Sequence, residues 1–239
     1  MYRTILPNLF TIGNLFCGFL ALHYGLQGSY TPAAWLLVLG AVLDKMDGKI
    51  ARFVGKDSHF GIEFDSLVDI CTFGVVPALL IYNSQLGHGW GLVVAFIYLV
   101  CGALRLARFN TLSLDENDDE EKSSFYTGLP IPMAAVCLSQ YVVFTERTWE
   151  SSHGVAISAL VVLLLSAMMV SRVEYDAMPN FRGSGFWDRF KQTYFVAAVA
   201  LIIHPNTQHL FVPLVMIYVL SGVYRWVTGV LSDTATQHA

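Results

Sequence analysis

Eight long apolar stretches leave this chain few folds to choose from. They run over about 8–27, 32–55, 60–83, 90–109, 129–146, 153–171, 190–203 and 208–230. A helix needs about 20 mostly apolar residues to cross a bilayer, and the seventh stretch falls short of that. The stretches are continuous, unlike the alternating strands of about ten residues that build a membrane barrel, so helices are the spanning element. Only 13% of the 239 residues are charged, against about 25% in a soluble domain. That is too few to cover a water-facing surface. The expected fold is all-α: a polytopic transmembrane helical bundle of about eight spans, with residues 1–239 forming a single integral membrane domain.

The basic residues orient the bundle. With the N-terminus cytoplasmic and eight spans, Arg147 is the one Lys or Arg on the outer side. The other 13 of 14, from Arg3 to Arg225, fall inside, as the positive-inside rule asks. Both termini are then cytoplasmic. The longer, more polar connections, 111–128 and 174–189, also face inward, so the active machinery should open to the cytoplasm.

Other features exclude more than they assign. The acidic run Asp115–Glu121 reads as a solvated loop. Cys17, Cys71, Cys101 and Cys137 lie within apolar stretches at no metal-like spacing and read as core residues. The histidines are scattered at loop edges with no zinc-type spacing. The first apolar stretch carries Asn8, Thr11 and Asn14 and lacks a small-residue cleavage site, so it is not expected to be a cleaved signal. No nucleic-acid partner is expected.

The chemistry is concentrated between residues 44 and 69. Asp44, Asp47, Gly48, Ala51 and Arg52 are spaced to share one helix face, and so are Gly61, Asp65 and Asp69. A short loop around Gly55–Ser58 separates the two segments, which makes them antiparallel neighbours whose stripes can meet. Four carboxylates then converge near the cytoplasmic end. A charge at the bilayer centre costs ~2.5–3.5 kcal/mol on insertion scales, and like charges oppose one another's ionisation. A strong cation offsets both, and an oxygen-only ligand set selects hard ions such as Mg²⁺, Mn²⁺ or Ca²⁺. Two such ions form a clamp for phosphate displacement. The bland alternative is an interhelical polar network using Lys45 and Lys49, but these point off the stripe. The small residues Gly48, Ala51 and Gly61 would let a nucleotide approach the backbone.

Asp-x2-Asp-Gly-x2-Ala-Arg-x8-Gly-x3-Asp-x3-Asp resembles the signature of the CDP-alcohol phosphotransferase family, and the chain matches all eight fixed residues over 26 positions. The resemblance implies a six-span catalytic core, two divalent cations (Mg²⁺ or Mn²⁺) and a homodimer. It implies metal ligation by Asp44, Asp47 and Asp65, with Asp69 serving the second metal and acting as general base on the acceptor hydroxyl. It also implies that Gly48 and Arg52 contact the nucleotide and its phosphates.

Three further segments narrow the resemblance. They are Pro7-Asn8-Leu-Phe-Thr11-Ile-Gly-Asn14-Leu-Phe-Cys-Gly18, Gly102-Ala-Leu-Arg105-Leu-Ala-Arg108-Phe-Asn110 and Phe125-Tyr-Thr-Gly128-Leu-Pro130-Ile-Pro132. Together they resemble the bacterial and archaeal phosphatidylserine synthases, through about residue 172. The implied substrates are CDP-diacylglycerol and L-serine. Arg105 and Arg108 form a cationic face suited to a serine carboxylate or a lipid phosphate, or they are positive-inside anchors. Asn8, Thr11 and Asn14 could bond the cytidine, its diphosphate or another helix. Ser171-Arg172-Val-Glu-Tyr-Asp176 lacks the prolines related sequences carry there and is assigned no role. Glycerol 3-phosphate or inositol phosphate as acceptor, or an ether-linked CDP-lipid, would fit the same site. A divalent-cation transporter is the rival of another class, disfavoured because no matching acidic site stands on the outer half.

The charge split has a direct test. Cysteines placed at Asp57, Glu120 or Gly183 in intact cells should resist a membrane-impermeant maleimide. Efficient labelling of Asp57→Cys from outside would reverse the orientation.

Overall fold

A computed structural model describes residues 2–54, 59–87, 89–115, 125–148, 154–171 and 174–176. The elements are α1 (Tyr2–Leu26), α2 (Tyr30–Val54), α3 (His59–Asp69), a π-helical segment (Ile70–Val75), α4 (Val76–Ile81), a second π-helical turn (Tyr82–Leu86), α5 (Gly91–Asp115), α6 (Ile131–Thr148) and α7 (Gly154–Val170). The chain divides into two compact units. Met1–Glu120 with Pro130–Val170 form one, and Glu121–Leu129 with Ser171–Ala239 the other. All seven α-helices of the described residues lie in the first. Six of the eight apolar stretches are thus helical, and 190–203 and 208–230 lie outside the described residues.

Three of these helices are long and apolar enough to cross a membrane: Asn8–Leu26, Phe60–Leu86 and Gly91–Thr111. Helices α6 and α7 are apolar but shorter. Helix α2 is as long as α1, but its last turns carry Asp44, Lys45, Asp47, Lys49 and Arg52.

The side chains sort as lipid would sort them. On α1 the buried positions are Thr11, Asn14, Cys17, Gly18, Ala21 and Gly25, small or polar residues, five of which recur at spacings of three and four. Leu9, Ile12, Phe16 and Phe19 of the same helix face outward. Without a hydrophobic force between helices in lipid, close backbone approach and hydrogen bonds hold them together. Gly18 illustrates the approach, since a Cβ there would lie 2.6 Å from Thr72 Oγ1. Helix α1 packs along α2 and against α3, the π segment and α4. Helix α6 is buried around nearly its whole circumference.

The turn between α1 and α2 is compact for a backbone reason. Gly28 adopts φ +74°, the left-handed conformation that costs glycine least. The Gly28 amide donates to the Gly25 carbonyl at 3.1 Å and the Ser29 amide to the Tyr24 carbonyl at 2.9 Å. This Schellman arrangement satisfies carbonyls that the end of α1 would leave bare. The chain reverses at once.

The widened turn after Asp69 was not expected from a continuous apolar stretch. Pro77 has no N–H to offer the Phe73 carbonyl four residues back, and its ring crowds that carbonyl in a regular helix. The backbone opens into a π turn, with the Val76 amide donating to the Cys71 carbonyl. The buried Tyr98 hydroxyl of α5 donates to the Phe73 carbonyl at 3.2 Å.

Two details depart from expectation. A short antiparallel ladder in the second unit pairs β1 (Phe125–Thr127) with β2 (Glu174–Asp176), Tyr126 opposite Tyr175. Aromatic and β-branched residues favour that conformation, and Gly128, at φ +82°, closes the first strand. The regular secondary structure of the described residues is therefore helical apart from this ladder. Cys71 is exposed, not in the core.

The Tyr98 bond yields a prediction. Tyr98→Phe should cost about 1 kcal/mol, the usual net worth of one such bond, read as a lower melting temperature in detergent. In a Pro77→Ala background, where a backbone donor returns, the same substitution should cost less.

Candidate metal centre

Helical spacing delivers the carboxylates. Asp44 and Asp47 share the last turns of α2, and Asp65 and Asp69 share α3. One carboxylate oxygen from each of Asp44, Asp47 and Asp65 lies within 4.8 Å of the others. Asp69 joins them, its carboxyl within hydrogen-bonding reach of Asp44. Asp47 and Asp69 are buried, while Asp44 and Asp65 are half-buried.

Helix α1 supplies donors from one side. Thr11 Oγ1 donates to Asp47 Oδ2 at 3.0 Å, and Asn14 Nδ2 donates to Asp69 Oδ1 at 3.3 Å. Arg105, buried on α5, adds its positive charge to the surroundings of Asp44, as does the more exposed Lys45. Two donors and two cationic side chains do not exhaust eight carboxylate oxygens. Asp65 Oδ1 is buried with no hydrogen-bond partner among the described residues. Buried acceptors normally have partners, and an oxygen-only cluster with a spare lone pair fits a hard divalent cation. The residues present can hold such an ion.

The remaining expected site residues stand as follows. Gly48 follows Asp47, and a Cβ there would meet nothing within 4 Å, so open space adjoins the carboxylates at that point. Gly61 is half-buried near the start of α3, four residues before Asp65. Asn8 is half-buried on α1, one turn before Thr11, and Arg108 is half-buried one turn beyond Arg105. Ala51 and Arg52 continue α2, but their side chains lie outside the described residues. The loop 55–58 does too.

Two features were not anticipated from sequence. Thr11 and Asn14 reach aspartates, and the 3-4-3-4 spacing of Thr11, Asn14, Gly18, Ala21 and Gly25 was the signal that both face inward. Arg105 and Arg108 were expected close to the aspartate helices, but the approach of Arg105 to Asp44 in particular had no counterpart in local spacing. It arises from how α5 packs.

The same residues carry a family pattern. The family model described as CDP-alcohol phosphatidyltransferase matches residues 4–169, which include all four aspartates. The chain belongs to this family. A protein of Helicobacter pylori (strain J99) named CDP-diacylglycerol–serine O-phosphatidyltransferase is 32% identical over 229 residues, covering 93% of this chain and 91% of the relative. A Methanocaldococcus jannaschii protein of the same name is 30% identical, covering 92% of each chain. An archaetidylserine synthase of Methanothermobacter thermautotrophicus is 34% identical over 183 residues, covering 75% of this chain and 72% of the relative.

Crowded carboxylates make a sharp stability prediction. In EDTA, Asp65→Asn should melt higher than the parent, because it removes one of the repelling charges. Mn²⁺ at about 100 times its Kd should stabilise the parent by about 2.7 kcal/mol. The variant should lose most of that gain. A parent protein indifferent to Mn²⁺ would count against a metal centre here.

Proposed function

We propose that this protein transfers the phosphatidyl group of CDP-diacylglycerol to the hydroxyl of L-serine, giving phosphatidylserine and CMP. The convergence of Asp44, Asp47 and Asp65 within 4.8 Å carries the reaction class. The names of the relatives, which span bacteria and archaea, support serine as acceptor. The archaetidylserine synthase among them supports a second reading of the lipid, as an ether-linked CDP-lipid, with serine unchanged.

In this mechanism Asp44, Asp47, Asp65 and Asp69 hold two divalent cations, Mg²⁺ or Mn²⁺, whose contribution is to offset negative charge on the diphosphate and on the departing CMP. Asp69 takes the proton of the serine hydroxyl as that oxygen bonds to the lipid-side phosphorus. The bond from that phosphorus to the CMP oxygen breaks, and CMP departs. Open space beside Gly48 admits the nucleotide, with Asn8, Ala51, Arg52 and Gly61 around it. Arg105 and Arg108 receive the serine carboxylate.

The setting follows from hydropathy and charge. The chain spans the membrane eight times as one integral domain, and both termini and the active site face the cytoplasm; the family resemblance adds that two copies form a homodimer. The lipid tails stay in the bilayer while serine arrives from water.

Purified protein given CDP-diacylglycerol, Mn²⁺ or Mg²⁺ and a panel of alcohols should release CMP with serine and stop in excess EDTA. Asp44→Asn, Asp47→Asn, Asp65→Asn and Asp69→Asn should each lose most activity while still inserting. Turnover of glycerol 3-phosphate but not serine would overturn the acceptor assignment. Lysine keeps a positive charge but not the bidentate fork. Arg105→Lys or Arg108→Lys should therefore raise the KM for serine about tenfold, the cost of one charge-assisted bond at ~1.5–3 kcal/mol. Weaker CDP-lipid binding with an unchanged serine KM would move the arginines to the lipid phosphate.

A further inference from the structure

Asn14 stands where three helical elements meet. It is fully buried on α1, and its Nδ2 donates to Asp69 Oδ1 at 3.3 Å. Its backbone carbonyl accepts from the Thr72 hydroxyl at 3.4 Å, three residues beyond Asp69 on the π segment. On α2, Gly40 lies so close that a Cβ there would sit 2.9 Å from Asn14 Oδ1. The amide is confined between a backbone and a carboxylate.

Chemistry fixes its orientation. Turned over, the amide would set its oxygen against the Asp69 oxygen, two acceptors facing each other. In the observed sense, Asn14 Oδ1 is buried without a hydrogen-bond partner among the described residues. Burying an unmet acceptor is unfavourable, so packing alone would favour an apolar residue here. What the amide offers in return is its N–H to Asp69. Full burial and the bond to Asp69 also leave it poorly placed to read a nucleotide.

We propose that Asn14 is a positioning residue for Asp69, fixing the orientation of the carboxylate that receives the acceptor's proton, a role that rests on the function proposed above. Gly40 and Thr72 are the parts of the seat that hold Asn14 itself. Thr11, on the same seam, performs the parallel task for Asp47.

Three variants separate positioning from packing. Asn14→Leu keeps the branch and the number of heavy atoms and removes the donor, Asn14→Gln keeps an amide on a longer arm, and Gly40→Ala displaces the amide without touching a carboxylate. With kcat read as CMP release, Asn14→Leu should lose about tenfold or more while the KM for the CDP-lipid stays within about threefold. Mn²⁺ titrated by its electron-spin resonance should still bind. Asn14→Gln should recover part of the loss, and Gly40→Ala should lower kcat in the same sense. A kcat for both Asn14→Leu and Gly40→Ala within about twofold of the parent would overturn the proposal, since removing a working positioning group costs more. It would equally fall if CDP-lipid and Mn²⁺ binding dropped as far as kcat, with Gln no better than Leu, because that marks a packing residue. The assay uses whichever alcohol the parent accepts. A parent that rejects serine therefore defeats the acceptor assignment, while the variants still test Asn14.

Discussion

Four carboxylates gathered inside an apolar bundle set the terms for everything around them. Each resists leaving water, and each repels the other three, so the helices that carry them would sooner separate. The structure answers with donors and positive charge from elements outside the motif. Thr11 and Asn14 of α1 reach Asp47 and Asp69, and Arg105 of α5 acts on Asp44. Asp65 keeps an oxygen without a hydrogen-bond partner among the described residues. Side chains alone leave the cluster incompletely compensated, which is the condition under which a divalent cation binds as part of the fold.

Donors on α1 are useful only if α1 lies close, and its composition makes that possible. Gly18, Ala21 and Gly25 remove the side chains that would hold the helices apart, while its phenylalanines and leucines face outward. In water this distribution would be inverted. In lipid, close approach is the main source of helix association, so the residues that pack α1 also bring its polar pair to the aspartates. The π turn completes the arrangement. It begins at Ile70, one residue after the last aspartate, and changes the phase of the helix there. Upstream, Asp65 and Asp69 face the carboxylate cluster. Downstream, Thr72 meets α1 and Phe73 offers its carbonyl to Tyr98.

Sequence made some of this legible and hid the rest for identifiable reasons. The two aspartate stripes could be read because helical spacing is local, and the structure brings those carboxylates together. The extents of α6 and α7 follow from unbroken apolar runs. The π turn escaped because hydropathy does not report backbone phase, although Pro77 marked where a regular helix would be strained. The short ladder between β1 and β2 escaped because its strands lie almost fifty residues apart and are three residues each. Asn14 was visible as a polar residue on an apolar helix, but its partner was not. A contact spanning 55 residues depends on how α1, α2 and α3 pack, and no window of sequence contains that information.

The arrangement of burial bears on how one site serves two unlike substrates. Asp47 and Asp69 are buried and each takes a donor from α1, whereas Asp44 and Asp65 are half-buried and, among the described residues, take none from that helix. The anchored pair and the less anchored pair alternate between α2 and α3, so each helix contributes one fixed and one more accessible carboxylate. The half-buried pair leaves carboxylate surface open where the buried pair does not. In phosphoryl transfer the charge to be compensated moves from the bridging diphosphate to the departing nucleotide. A site rigid on all sides would suit the first distribution or the second, not both. For the proposed reaction, rigidity is most valuable at Asp69, where a proton must be received from a defined direction, and that is where the bundle spends a fully buried amide.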